Sequence, residues 1–227
     1  MRSSINHRGH LPLLCSAREL SFRLLTQSWT LTRILSPGTG KTVTIVEAIR
    51  QVHDSNVSTR ILACAPSNSA ADQIAEKLAA AGLTPRQLFR MYAPSRYKDQ
   101  ASDKLQDYVR LTLDGHFTVP ELDALKRYRV VVATCVAASM LAGVGVPRGH
   151  YSHVFIDEAG QATEPEAFIS IKTLADPGTN VVLSGDPKQL GPIIRSGIAR
   201  ELGLEKSYLD RLMEREAYDI VAGHART

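Results

Sequence analysis

The sequence predicts an α/β fold, with a mostly parallel sheet covered by helices on both faces. Strand-like and helix-like segments alternate from residue 31 onward, as they do in α/β proteins. The strand-like segments are continuously apolar, which is typical of strands buried on both faces. Polar or glycine-containing runs follow four of these strands, at 36–42, 66–70, 157–158 and 184–189. Open α/β sheets bind ligands at that edge, where the strands end.

The composition indicates a globular domain with a sizeable core. The chain has 227 residues, of which 44% are hydrophobic and 22% charged, an ordinary globular balance. A net charge of +4 mildly favours a polyanionic partner. The three cysteines are widely spaced, so we expect a reducing compartment and neither a disulfide framework nor a zinc site: Cys15, Cys64 and Cys135. No apolar run approaches the roughly 18 residues of a membrane helix.

The amino-terminal segment differs from the rest of the chain. Residues 1–34 contain five arginines and a single acid, Glu19. We interpret 1–30 as a disordered basic leader, with a mitochondrial transit peptide as the alternative reading of the same composition. At the other end, 216–227 is interpreted as a tail.

The first strand and helix flank a glycine-containing loop. The run "LTRIL" (31–35) predicts a short strand, and "KTVTIVEAIRQV" (41–52) predicts a helix. That helix is apolar on most of its faces, so we expect it to be buried.

A second strand and helix follow. The segment "RILACAP" (60–66) predicts a buried strand that ends at a proline. Residues 67–82 predict a helix, with a capping box at Ser69 and Asp72 and a stop at Gly82.

The middle of the chain is less regular. Residues 93–128 are polar with little periodicity, and two interpretations stay open: a small inserted subdomain or a long surface loop. The segment "YRVVVATC" (128–135) then predicts a strand, followed by a short helix at "AASMLAG".

Two further strands carry the acidic segments. We expect a strand at "SHVFIDEAG" (152–160), ending in two acids, and another at "NVVLSGDPKQLGP" (180–192), running into a turn. Between them, 163–174 predicts a helix, with Thr163 and Glu166 in capping-box register.

The run "SPGTGKT" matches the end of a phosphate-binding loop, G-x-x-x-x-G-K-[ST]. Small residues let backbone N–H groups face phosphate oxygens. Lys41 would pair with the β- and γ-phosphates of ATP, and Thr42 would bind Mg²⁺. Leu35 stands where the first glycine belongs. The simpler alternative is a helix start with a glycine turn and no ligand. The predicted nucleotide-binding residues are Pro37, Gly38, Thr39, Gly40, Lys41 and Thr42.

The acidic segments supply the remaining catalytic candidates. Asp157 would hold Mg²⁺ through water, and Glu158 would polarise the attacking water. Gln189 would act as a γ-phosphate sensor or water-positioning group. The alternatives are a solvated strand end for the two acids and an ordinary turn for 184–189.

Together these segments resemble superfamily 1 helicases of the Upf type, and especially the Armitage-type RNA-silencing helicases. The likeness covers roughly 31–215. It consists of five segments in the family's order: "SPGTGKT", "ILACAPSNSAADQIAEKL", "VVVATC", "FIDEAGQATEPE" and "LSGDPKQLGPIIRS".

The resemblance implies a RecA-like P-loop NTPase domain that hydrolyses ATP with Mg²⁺ and moves 5′-to-3′ on a single strand. It implies single-stranded RNA as the partner, although DNA stays open, together with silencing or RNA-decay proteins in the cytoplasm and no membrane. The polar stretch 93–128 corresponds to the family's inserted subdomain. By the same likeness, five residues would contact the nucleic-acid backbone: Pro66, Ser67, Asn68, Ser69 and Thr134.

The sequence also departs from the family. Leu35 replaces the first glycine of motif I, the segment before residue 31 lacks the adenine-contacting glutamine motif, and motifs IV to VI are missing. Those motifs belong to a second RecA-like domain, so the chain resembles the first half of a motor. The alternative is a non-catalytic RNA- or partner-binding fragment with an impaired ATP site. Another kind of P-loop ATPase is disfavoured by "GDPKQLGP".

Overall fold

The computed structural model describes the backbone of 31–34 and residues 40–186 and 189–215. The predicted basic leader, the predicted tail and Leu35 lie outside the described residues, as do three of the predicted nucleotide-binding residues: Pro37, Gly38 and Thr39.

A six-stranded sheet forms the centre of the domain, and each neighbouring pair of strands is parallel. The spatial order is β1-β6-β5-β2-β4-β3. The strands are β1 (Leu31–Ile34), β2 (Ile61–Ala65), β3 (Leu88–Arg90), β4 (Val130–Thr134), β5 (His153–Ile156) and β6 (Asn180–Gly185). Every residue of β2, β3, β5 and β6 is buried. The predicted parallel α/β sheet is therefore confirmed.

Helices cover both faces of this sheet. They are α1 (Lys41–Ser55), α2 (Asn68–Ala80), α3 (Leu122–Leu125), α4 (Ser139–Gly143), α5 (Glu164–Leu174), α6 (Gly197–Glu201) and α7 (Tyr208–Met213). Successive strand residues point to opposite faces. Ile61 and Ala63 accordingly pack with α1 and α2 in one apolar cluster, whereas Leu62 packs with α4, α5 and α7 in the other.

The strand β3 was not predicted from the sequence. It is only three residues long, and it ends in Arg90, which is 0% exposed. A short run that ends in a charged residue gives no strand signal, because the expected pattern is apolar.

The predicted capping box at Ser69 and Asp72 is wrong. Ser67 is the N-cap of α2, and its Oγ accepts a hydrogen bond from the Ala70 N–H at 3.2 Å. The Asp72 carboxylate instead accepts from Arg90 Nε at 2.7 Å, so a tertiary ion pair replaces the local cap. By contrast, the capping box of α5 is confirmed between the predicted residues, Thr163 and Glu166.

Helix α1 is less completely buried than its composition suggests. Ile45, Ile49 and Val52 lie in the core, but Val43 is 57% exposed. An apolar residue on a helix surface is common in proteins, so composition alone overstated the burial of this helix.

The stretch 93–128 contains two 3₁₀ helices, Lys98–Gln100 and Asp103–Tyr108, in addition to α3. A small apolar cluster of its own joins Val109 and Phe117 to Tyr92. Whether it forms the family's inserted subdomain stays a prediction. Among the described residues, none of the helices is long and apolar enough to span a membrane.

Candidate nucleotide and nucleic-acid site

The start of α1 places a lysine at the carboxyl edge of the sheet. Gly40 precedes the helix with φ of 74°, a left-handed conformation that glycine adopts without strain. Lys41 is the first residue of the helix and is only 7% exposed. Its Nζ lies 3.9 Å from Oδ2 of Asp186, the residue that follows β6. The phosphate-loop lysine is therefore buried beside an acid from another strand.

Asp157 follows β5 at the same edge and is 1% exposed. Its Oδ1 has no hydrogen-bond partner among the described residues. Burial raises the pKa of this carboxyl group; the Ser184 hydroxyl, the Glu158 backbone, the Thr42 hydroxyl and the charge of Lys41 act in the opposite direction. The carboxylate therefore lies among the residues that begin α1 and end β6.

This oxygen-rich arrangement fits Mg²⁺. The ion prefers hard oxygen ligands, and it usually takes one or two carboxylates together with phosphate oxygens and water. Thr42 and Asp157 offer a hydroxyl and a carboxylate with an unpaired oxygen. No group of three or more His, Cys, Asp or Glu side chains that could hold a metal ion occurs in the described part of the chain. A Mg²⁺ ion shared with a nucleotide needs no such cage.

Glu158 has a strained backbone and a perturbed carboxyl group. Its φ of 52° is the only positive value of a non-glycine residue in the described ranges, and such strain concentrates at functional sites. The side chain is half-buried. Burial and the charges of Asp157 and Asp186 raise its pKa, and Lys41 lowers it. A carboxyl group with a raised pKa is suited to accepting a proton from water.

The turns after β5 and β6 pack backbone against backbone. A β-carbon on Gly160 would lie 3.0 Å from the Asp186 carbonyl oxygen, and one on Gly185 would lie 2.8 Å from the Gly160 nitrogen. The Ala159 N–H also donates to the Ser184 carbonyl at 2.7 Å. Glycine is thus required at positions 160 and 185, because the backbones of the two turns come too close together for a β-carbon.

Gln189 lies in the turn that follows β6. The residue is exposed, and its backbone N–H donates to the Asp186 carbonyl at 3.2 Å. The structure therefore places Gln189 near the edge that carries Lys41 and Asp157, without a described contact of its side chain to either residue.

The candidate nucleic-acid residues also meet at this edge. Ala65 and Thr134 are paired in register at the ends of β2 and β4, so 66–69 and Thr134 leave the sheet side by side. The Ser67 and Ser69 hydroxyl oxygens are 3.1 Å apart. The Thr134 Oγ1 accepts from the Ala137 N–H at 3.2 Å.

A groove of about 400 Å³ lies next to the loop 66–69. Its walls include Pro66 and Ser67, the segment after β5 and the segment 190–193. Leu190 and Ile193 are 89% and 91% exposed there. The groove thus joins three of the sequence motifs on one surface.

Sequence reasoning missed Asp186 as a site residue. The sequence predicts an ordinary turn for this residue, yet Asp186 is 5% exposed and faces Lys41. Asp186, like Asp157, directly follows a buried strand, and an acid at that position is a signal that could have identified it.

Comparison with known proteins gives the family. The sequence matches the profile described as "AAA domain" over residues 21–214. The chain belongs to the AAA-domain family. Five motifs of this P-loop domain stand in helicase order, and the described parts of those motifs meet at one sheet edge.

Its relatives are helicases. The chain is 44% identical over 183 residues to the RNA helicase Mov10l1 of Homo sapiens, which covers 80% of this chain and 14% of that protein. It is 49% identical over 180 residues to the putative helicase mov-10-B.1 of Danio rerio, and the match covers 78% of this chain and 18% of that protein. For the probable RNA helicase armi of Drosophila melanogaster the identity is 33% over 199 residues, and the match covers 80% of this chain and 17% of that protein. The predicted resemblance to superfamily 1 helicases of the Upf type is thus confirmed, and the AAA-domain chain spans less than a fifth of the length of each of these relatives.

A solved structure supports the fold. The chain of S. cerevisiae Dbp5, in a structure with Nup159, Gle1, IP6 and ADP, matches with a TM-score of 0.50 at 16% identity. The match covers 82% of this chain and 45% of the Dbp5 chain. The RecA-like architecture of the AAA domain is therefore shared with the Dbp5 chain.

Proposed function

We propose that this domain binds ATP with Mg²⁺ and hydrolyses it as part of an RNA helicase. The observation that carries the proposal is the buried group at the carboxyl edge of the sheet. There, Lys41 and Asp186 face each other, and Asp157 keeps an unpaired oxygen. Buried polar groups normally have partners, so an unpaired carboxylate oxygen beside a buried lysine is well suited to a bound ion.

Each residue then has a distinct role. Lys41 would neutralise the β- and γ-phosphate oxygens, and Thr42 and Asp157 would hold Mg²⁺. Glu158 accepts a proton from the attacking water, and Gln189 orients that water. Three of the remaining loop residues would present backbone N–H groups to the phosphates: Gly38, Thr39 and Gly40. Pro37 belongs to the same loop but has no N–H to donate. With Mg²⁺ bound, the ion would neutralise charge that develops on the phosphate oxygens.

Single-stranded RNA is the proposed nucleic-acid partner. Pro66, Ser67, Asn68, Ser69 and Thr134 are placed to contact its backbone, and contacts of that kind position a strand without reading its sequence. The preference for RNA draws on relatives that are named RNA helicases. We further propose 5′-to-3′ movement, a cytoplasmic setting, and silencing or RNA-decay proteins as partners.

Efficient turnover in P-loop NTPases often depends on an arginine that reaches the cleft from outside the phosphate loop, and such arginines are worth about 10³–10⁵ in rate. We propose that a second RecA-like domain would supply this arginine to the site described here.

Leu35 favours a second candidate function. If its side chain blocks the phosphate loop, the chain acts as an RNA-binding fragment without ATP. Reversion to glycine separates the two candidates, because Leu35→Gly would then restore nucleotide affinity.

Calorimetric titration of the purified chain with Mg-ATP tests the proposal. We expect a Kd of about 1 μM to 1 mM, the usual range for enzyme substrates. In Lys41→Ala, affinity should fall by about tenfold or more, since a charge-assisted contact to phosphate is lost. Lys77→Ala is the matched control, because Lys77 is an exposed lysine on α2. Absence of binding by both the wild type and Leu35→Gly would rule the ATP site out.

A further inference from the structure

The strand β3 ends in an arginine that is completely buried. Arg90 is 0% exposed, and its guanidinium group donates hydrogen bonds to other groups of the protein. Nε donates to the Asp72 Oδ1 at 2.7 Å, Nη2 to the Asn68 Oδ1 at 3.0 Å, and Nη1 to the Met91 carbonyl at 2.6 Å. The arginine therefore holds two residues from the beginning of α2.

Tyr92 completes this cluster. Its hydroxyl donates to the Asp72 Oδ1 at 2.7 Å, and its ring centroid lies 3.9 Å from the Arg90 guanidinium carbon. Burial raises the pKa of the Tyr92 phenol, so the hydroxyl remains a donor. The Tyr92 ring also stacks on Phe117, with centroids 4.4 Å apart. The cluster thus connects β3, the start of α2 and the stretch 93–128.

Stability alone does not account for a buried arginine at this position. The desolvation of a guanidinium group costs several kcal/mol, and well-packed apolar residues often serve a core as well or better. A buried arginine, however, has a planar guanidinium group whose N–H donors have fixed directions, so it holds its hydrogen-bond acceptors in one geometry. Here the fixed acceptors include the side chain of Asn68, which lies directly after the N-cap of α2.

We propose that Arg90, Asp72 and Tyr92 are positioning residues that hold Asn68, and with it the loop 66–69, in the conformation that binds nucleic acid. This inference rests on the proposed function of that loop. The stacked pair of Tyr92 and Phe117 extends the same cluster into the stretch 93–128.

Tyr92→Phe is the decisive variant, because it removes one hydroxyl and keeps the stacked ring. The matched control is Tyr108→Phe. That partly buried hydroxyl donates to the Leu83 carbonyl at 3.0 Å and has no bond to Asp72, the residue to which the Tyr92 hydroxyl donates. Arg90→Lys is the second variant, since it keeps the charge and loses the fork.

Three quantities are measured on the full chain: the Kd for a fluorescently labelled single-stranded oligouridylate, the Kd for Mg-ATP, and Tm. In Tyr92→Phe we expect RNA affinity to fall about fivefold, the size of one hydrogen bond, with the Kd for Mg-ATP unchanged. Tyr108→Phe should leave the Kd for RNA at the wild-type value, even if its Tm falls equally. Amide hydrogen exchange of 68–71 should accelerate in Tyr92→Phe and stay unchanged in the control.

Two results overturn the inference. If Tyr92→Phe and Tyr108→Phe lower Tm alike and leave RNA affinity within about twofold of wild type, the cluster only stabilises the fold. The proposed function then still stands, because the wild type binds RNA. If the wild-type chain binds no RNA at all, the proposed role of the loop and this inference fail together.

Discussion

The Lys41 ammonium group and the Asp186 carboxylate face each other across 3.9 Å, with side chains only 8% and 2% exposed. Lys41 begins the first described helix, and Asp186 follows the strand β6, about 145 residues later in the chain. The two residues come together because a parallel sheet places the ends of distant strands at one edge. Each charge therefore has an opposite charge nearby in a place that water scarcely reaches. This pair connects the phosphate loop to the last of the five family segments, "LSGDPKQLGPIIRS".

Removal of the acid should leave the lysine charge buried without this partner. We expect Asp186→Asn to lower the free energy of unfolding by about 1–3 kcal/mol, less than for a tightly paired buried ion because the two atoms are not in direct contact. Urea unfolding monitored by circular dichroism measures the change. Glu205→Gln serves as control, since it removes an exposed ion pair with Arg200 that should be worth less than about 1 kcal/mol. Equal losses in the two variants would contradict the importance of burial.

The pH dependence of stability should reveal Asp157. Burial raises its pKa in the folded protein, so the folded state holds its proton at a pH where the unfolded state has lost it. The resulting stability is present at low pH and is lost as the pH rises through the folded-state pKa. At neutral pH, Asp157→Asn should therefore be more stable than wild type. The difference should shrink as the pH is lowered towards the ordinary range of aspartate.

Chemical denaturation at a series of pH values checks this expectation. Asp176→Asn is the comparison, because Asp176 is an exposed acid in the turn before β6. A stability gain in Asp157→Asn that does not change with pH would contradict the assignment to charge burial.

Glu158 should matter for hydrolysis and not for binding. In Glu158→Gln the side chain keeps its size and loses its capacity to accept a proton, so phosphate release should slow by about 10²–10⁴-fold. The Kd for Mg-ATP should stay within about twofold of wild type, since the role concerns the transition state. Gln161→Ala is the control: it removes the 3.3 Å hydrogen bond to Glu158 Oε2 and leaves the carboxylate. A rate unchanged in Glu158→Gln would remove this residue from the catalytic set.

Arg129 should contribute to stability through the end of α1. Its Nη2 donates to the His53 and Asn56 carbonyls, the latter at 2.6 Å, and cations near a helix carboxyl end also interact favourably with its dipole. Arg129→Ala should therefore lower the free energy of unfolding by about 1–3 kcal/mol. Arg127→Ala, at an exposed neighbouring position, should change it by less than about 0.5 kcal/mol. Thermal and urea unfolding of the two variants distinguish these outcomes.

The sequence was informative wherever function or burial imposes a local pattern. Continuous apolar runs predicted β2, β4, β5 and β6, and the spacing of Thr163 and Glu166 predicted a helix cap that the structure confirms. It was less informative where a residue acts through a distant partner. The sequence spacing of Asp72 is compatible with a helix cap, and its actual partner, Arg90, comes close only in the folded protein.

In the candidate site, too, some features could be predicted from a local sequence pattern and others depend on the fold. The types and order of Lys41, Thr42, Asp157 and Glu158 indicated phosphate chemistry, because each lies beside a strand or helix end that can be recognised from the sequence. The positive φ of Glu158 could not be foreseen, because backbone strain depends on the packing of neighbouring turns.

The close approach of Gly160 and Gly185 has a mechanical consequence. With no side chain between them, the turns after β5 and β6 cannot slide or separate without breaking the bond from the Ala159 N–H to the Ser184 carbonyl. Glu158 and Asp186 therefore lie on two turns that are joined by direct backbone contact. A displacement of the turn that carries Asp186 should be accompanied by a displacement of the turn that carries Glu158.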